Sequence, residues 1–133
     1  MKEVNVKNRE GIISAISSYL RGINTDGKRE FLADYSGLTF LKAALHSSVT
    51  QIRLSKKLVM LLQDLVINDH LIMFGGNPCA VRNAISNDKT FMDILMQQIN
   101  SGPVDDYQMN DLRDSILSIF EHLAIYKPEI LAD

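Results

Sequence analysis

An all-α chain of stacked helical repeats is predicted by three observations. Apolar residues recur at helical spacing in three long stretches, nothing alternates with period two over more than a few residues, and one short pattern returns along the chain. K-R-E-F-L-A-D at residues 28–34 is echoed by K-P-E-I-L-A-D at residues 127–133. Between them, L-I-M-F-G-G at 71–76 aligns with L-A-D-Y-S-G at 32–37, thirty-nine residues earlier, and Leu131 follows Leu71 by sixty. Each copy is a short amphipathic piece, and the first two continue into an aromatic and then small or glycine residues that can turn sharply.

The elements follow in order. Residues 8–21 place Ile12, Ile13, Ile16, Tyr19 and Leu20 on one side of a long helix. The short helix of the first copy comes next, and Ser36 is placed to cap G-L-T-F-L-K-A-A-L-H. Residues 50–67 carry two apolar rows, Leu54, Leu58, Leu61 and Leu65 in one and Ile52, Val59 and Val66 in the other. A helix with so wide an apolar surface must be covered on two sides, as the inner helix of a stacked repeat is. Its polar strip is Arg53, Lys57 and Asp64, with Met60 among them. Asn77-Pro78 allows a further short helix over 78–86, and Asp88 is placed to cap K-T-F-M-D-I-L-M-Q-Q-I. Gly102-Pro103 closes this unit, and a third long helix runs from about Asn110 to Tyr126 through Leu112, Ile116, Ile119, Phe120 and Leu123.

Composition narrows the functional classes. A chain of 133 residues with 46% hydrophobic and 23% charged residues fits one globular domain with a core of its own. Fourteen basic and sixteen acidic residues are scattered along it, for a net charge of -2, so no basic field gathers phosphates and nucleic acid is not an expected partner. No run is long and apolar enough to span a bilayer, and no membrane partner is expected. Cys79 is the lone cysteine, which suits a small apolar filler better than a reactive thiol.

Chemistry-bearing constellations are missing. His46, His70 and His122 have no ligating partner at helical spacing, so no metal site is expected. Asp105-Asp106 and Asp111 with Asp114 lie in and just after the glycine-proline loop, where solvated and helix-start carboxylates are routine. Gly75-Gly76 lacks the strand, lysine and hydroxyl of a phosphate loop. Ser14, Ser17 and Ser18 have no base to activate them. The expectation is a protein that is not an enzyme and uses no cofactor.

A unit of about forty residues with two longer helices and one short one points to the armadillo and HEAT class, whose period is ~40 to 47 residues. The predicted fold is therefore an armadillo-like right-handed superhelix of stacked three-helix repeats. Its expected divisions are an incomplete unit at 1–22, a unit at 23–68, an expanded unit at 69–126, and the start of a further unit or cap at 127–133. They read as one domain and a fragment of a longer array.

Within that class, I-I-S-A-I-S-S-Y-L-R-G, then F-L-A-D-Y-S-G-L-T-F-L, then I-R-L-S-K-K-L-V-M-L-L-Q-D-L-V resemble the armadillo-type nucleotide exchange factors of 70-kDa heat-shock chaperones. The resemblance is densest from Ile12 to Asn68 and weaker from Asn110 to Ile125. It implies a co-chaperone whose concave face holds the chaperone's nucleotide-binding domain and promotes ADP release. Binding the open domain more tightly than the ADP-bound one lowers nucleotide affinity, and by linkage nucleotide weakens the exchange factor equally. The cytosolic and endoplasmic-reticulum branches of that family leave both cytoplasm and lumen open as locations.

The long helices would line the concave face, so the expected partner-binding residues are Ser14, Ser18, Arg21, Arg53, Lys57, Met60, Asp64, Asp114 and Glu121. An unbranched thioether among charges suits adaptable contacts. The alternative is an armadillo scaffold that binds a peptide or protein on the same face without exchange activity. Peptide-binding adaptors of this class line that face with asparagine and tryptophan, and the chain has no tryptophan. Exposed end helices of a truncated stack would also favour a homodimer.

Overall fold

The helical periodicities are realised as helices over the described residues. In a computed structural model, described over residues 11–16, 18, 20, 25–34, 36–48, 51–100 and 107–124, the chain is all-α, with no strand among the described residues. Helical backbone at 11–16, 18 and 20 forms α1. There follow α2 (Thr25–Asp34), α3 (Gly37–Ser47), α4 (Ile52–Ile67), α5 (Asp69–Ile72), a single 3-10 turn (Phe74–Gly76), α6 (Ala80–Ser86), α7 (Lys89–Asn100) and α8 (Tyr107–Ala124). The echo at 127–133 and the loop containing Asp105 and Asp106 lie outside the described residues.

One continuous apolar core runs through the described helices. Its centre is α4: Leu54, Leu58, Leu61 and Leu65 of the first row are buried, Val59 and Val66 of the second are buried with Leu62, and Ile52 is partly buried. Each such side chain stabilises the fold by ~1.5–3 kcal/mol relative to exposure. α8 is the main partner of α4, through Leu112, Ile116, Ile119 and Leu123. The shorter helices form a second layer, in which α2 meets α3 and α5, α3 meets α7, and α6 meets α7.

Buried and partly buried polar groups tie the helices together. Gln98 on α7 donates to the Leu45 carbonyl at the end of α3 (2.8 Å), Arg82 on α6 to the Val66 carbonyl of α4 (3.2 Å), and Arg113 on α8 to the Ile99 carbonyl (2.9 Å). Each satisfies a carbonyl that a helix end leaves without an intrahelical partner. Asp69, fully buried at the start of α5, accepts from the backbone N–H groups of Val81 and Arg82 (3.0 Å each) and so caps α6 from outside it. Burial pushes its carboxyl above the ordinary 3.8, against the pull of those two amides.

The capping expectations divide. Asp88 accepts from the Phe91 amide (3.1 Å) and holds the start of α7 as predicted. Its carboxyl also takes the Lys42 ammonium (2.8 Å), and these two donors hold it below 3.8. Ser36 does not cap α3: its side chain makes no such bond and its backbone is left-handed at φ 48°. The reason lies one residue on. A Cβ on the buried Gly37 would stand 2.5 Å from the Phe31 ring, so the chain must turn hard at Ser36 to bring α3 against α2. Gly75, which the repeat alignment sets opposite Ser36, is also left-handed at φ 63°. Pro78 does not open a helix: it lies in a turn where Asn77 Oδ1 accepts the Cys79 amide, and α6 starts at Ala80.

Candidate functional site

The three long helices lie side by side in the order α1, α4, α8, and polar pairs bridge each junction at the same places. On α4, Lys57 donates to Ser14 Oγ of α1, while Lys56 pairs with Asp111 of α8 at 3.3 Å. Ser14 and Lys56 are forty-two positions apart, and Lys57 and Asp111 fifty-four. These offsets define one register. The position that reaches forward from α1 is the one that reaches forward from α4, and the position that reaches back is likewise shared. Gln63 repeats the bridge two turns further on, donating to Ser118 Oγ at 3.0 Å.

Between the bridging positions each long helix exposes a row spaced by seven residues. The rows are Gly11 and Ser18 on α1, Arg53, Met60 and Ile67 on α4, and Tyr107, Asp114 and Glu121 on α8. Ser18, Met60 and Asp114 occupy equivalent places in that register. The core lies behind all three helices, so the rows face the same way.

The sequence-predicted residues fall into three groups. Ser18, Arg53, Met60, Asp114 and Glu121 are exposed on this face, with Met60 46% exposed. Ser14, Lys57 and Asp64 are turned into the α1 and α2 flank instead. Ser14 and Lys57 bond each other, and Asp64 pairs at 3.0 Å with Lys28 of α2, whose side chain is wholly buried. Asp64 also accepts from the Asn68 side chain at 3.0 Å. These three hold helices together, and a partner docking on the face would meet their neighbours first. Arg21 lies outside the described residues.

Ile67 and Tyr107 were missed. Ile67 ends the helix predicted over 50–67 but lies outside its polar strip, and Tyr107 sits three residues before the predicted start of its helix. A seven-residue step from Met60 and from Asp114 would have reached both. The resulting face is a mixed strip, apolar on α4 around Met60 and Ile67, acidic on α8 at Asp114 and Glu121, and basic at Arg53.

Among the described residues no three His, Cys, Asp or Glu converge as metal ligands, and no helix is long and apolar enough to cross a membrane. His46 and His70 are exposed, and His122 bonds the Ser118 carbonyl of its own helix (2.8 Å). A cleft between α2, α3, α6 and α7 is lined by Leu32, Thr39, Phe74 and Phe91 and crossed by the Lys42–Asp88 pair. Its two charged groups, Lys42 and Asp88, are paired with each other. No family model, curated protein or solved structure matches the chain.

Proposed function

We propose that the chain is an armadillo-type co-chaperone whose face of long helices binds the nucleotide-binding domain of a 70-kDa heat-shock chaperone and promotes ADP release. The observation that supports this reading is the repeated register of α1, α4 and α8. Long helices bridged at equivalent positions are what an armadillo stack requires, and this reading takes α2, α3 and α4 as one three-helix unit. A mixed apolar and charged strip on such a layer suits a folded protein domain better than a small molecule.

On this reading the exchange factor performs no covalent chemistry. It binds the open nucleotide-binding domain through Arg53, Met60, Ile67, Asp114 and Glu121, and its differential affinity for open and closed forms drives release. Release of labelled ADP from a 70-kDa chaperone, with and without the chain, tests it directly. Acceleration lost in Met60→Asp, an exposed substitution expected to change stability by less than ~0.5 kcal/mol, is the supporting outcome. No acceleration and no complex by the native protein refutes it. The second reading, a peptide-binding scaffold on the same face, is favoured only if extended peptides bind and the chaperone does not.

A further inference from the structure

The register that stacks α1, α4 and α8 does not stop at either end of the molecule. On α4, the edge that faces back along the stack is sealed: Leu54, Leu58 and Leu61 are 5%, 0% and 3% exposed. The matching edge of α1 is open. Ile12, in register with Leu54, is 55% exposed, and Ile16, in register with Leu58, is half-buried on the wall of a groove of about 630 Å³ that continues over Leu20, Gly27, Phe31 and Phe40. Phe40 is itself 37% exposed.

The forward edge of α8 is open in the same sense. Leu117, in register with Gln63, is 50% exposed, and Asn110, in register with Lys56, is also exposed. Inside the molecule those forward positions bond the helix that follows. The two open edges are compatible: in that register Asn110 of the forward edge comes opposite Ala15 of the backward one, Leu117 and Ile12 extend the uncharged strip on either side, and Glu30 is the charged residue lining the groove.

We propose that a second copy of this chain is the occupant of the open edge: molecules stack head to tail, the forward edge of α8 of one seated on the α1 edge of the next. The contact continues the internal α1–α4 and α4–α8 junctions and uses their register. Because it joins unlike surfaces, each added copy presents a fresh edge, and the assembly grows as an open chain rather than closing as a dimer.

Light scattering of the full chain across a concentration series tests this, with mass rising progressively beyond two copies as the expected result. Ile12→Asp and Leu117→Asp each block one edge at an exposed position, so each alone is expected to be monomeric. Mixed, they retain one intact forward edge and one intact backward edge, and a one-to-one pair is expected. A native protein that stays monomeric at high concentration, a closed dimer that grows no further, or a mixture that forms no pair overturns the proposal. Circular dichroism checks that the variants fold, and Ile12→Gln with Leu117→Gln replaces any that does not.

Discussion

The helices α1 and α4 carry similar apolar spacing, yet Leu58 of α4 has no exposed surface while Ile16, its counterpart on α1, remains half-buried. The difference comes from neighbours. α4 has α1 and α2 on one flank and α8 on the other, whereas the back of α1 looks onto a groove. In a stacked architecture a side chain's energetic weight is set by how many layers cover it, and the same residue pattern is core in one unit and edge in the next.

The most demanding test of that contrast is a matched pair of truncations. Leu58→Ala is expected to cost ~2–5 kcal/mol and Ile16→Ala less than half as much, read as urea midpoints; equal losses would mean that the α1 edge is covered after all. A smaller effect probes the polar flank. Asp64→Ala removes the partner of a wholly buried ammonium and is expected to cost about 2 kcal/mol, less than the ~3–5 kcal/mol of a fully buried pair because Asp64 is 27% exposed. The same change in the exposed Asp114 is expected to cost less than ~0.5 kcal/mol, which separates the inward member of the predicted polar set from an outward one.

The two carboxylates that cap helices give opposite pH dependences. Asp88, held below 3.8, contributes stability that is present above that value and lost as pH falls through its depressed pKa. Asp69, raised above 3.8, contributes most when protonated, and its contribution is lost as pH rises through the raised pKa. The stability of Asp69→Asn relative to the native protein should therefore improve from acid to neutral pH, measured by urea melts at several pH values. One substitution is expected to be a gain. Ser36→Gly relieves a left-handed residue that forms no cap, and should raise stability by a few tenths to ~1 kcal/mol in thermal unfolding, whereas Gly75 needs no such relief.

Much of the fold was legible because its signals are local. Helical spacing located the long helices to within a few residues, the aligned turns at Ser36 and Gly75 share their backbone conformation, and Asp88 caps where a short carboxylate precedes an apolar run. The cap assigned to Ser36 failed because the close approach of Gly37 to Phe31 is a contact between helices. Lys57 and Asp64 looked like Arg53 on a helical wheel. Their difference is that Ser14 and Lys28, forty-three and thirty-six residues earlier, stand beside them.

By itself, then, the sequence determined that this protein is helical, where its long helices run, and which stripe of each is apolar, since periodicity and turn chemistry act over a few residues. Only the tertiary structure decided which polar residues bridge helices and which form the open face, and which apolar edges are sealed. Those outcomes depend on what lies alongside each helix, and a neighbour contributed from far along the chain leaves no mark on local spacing.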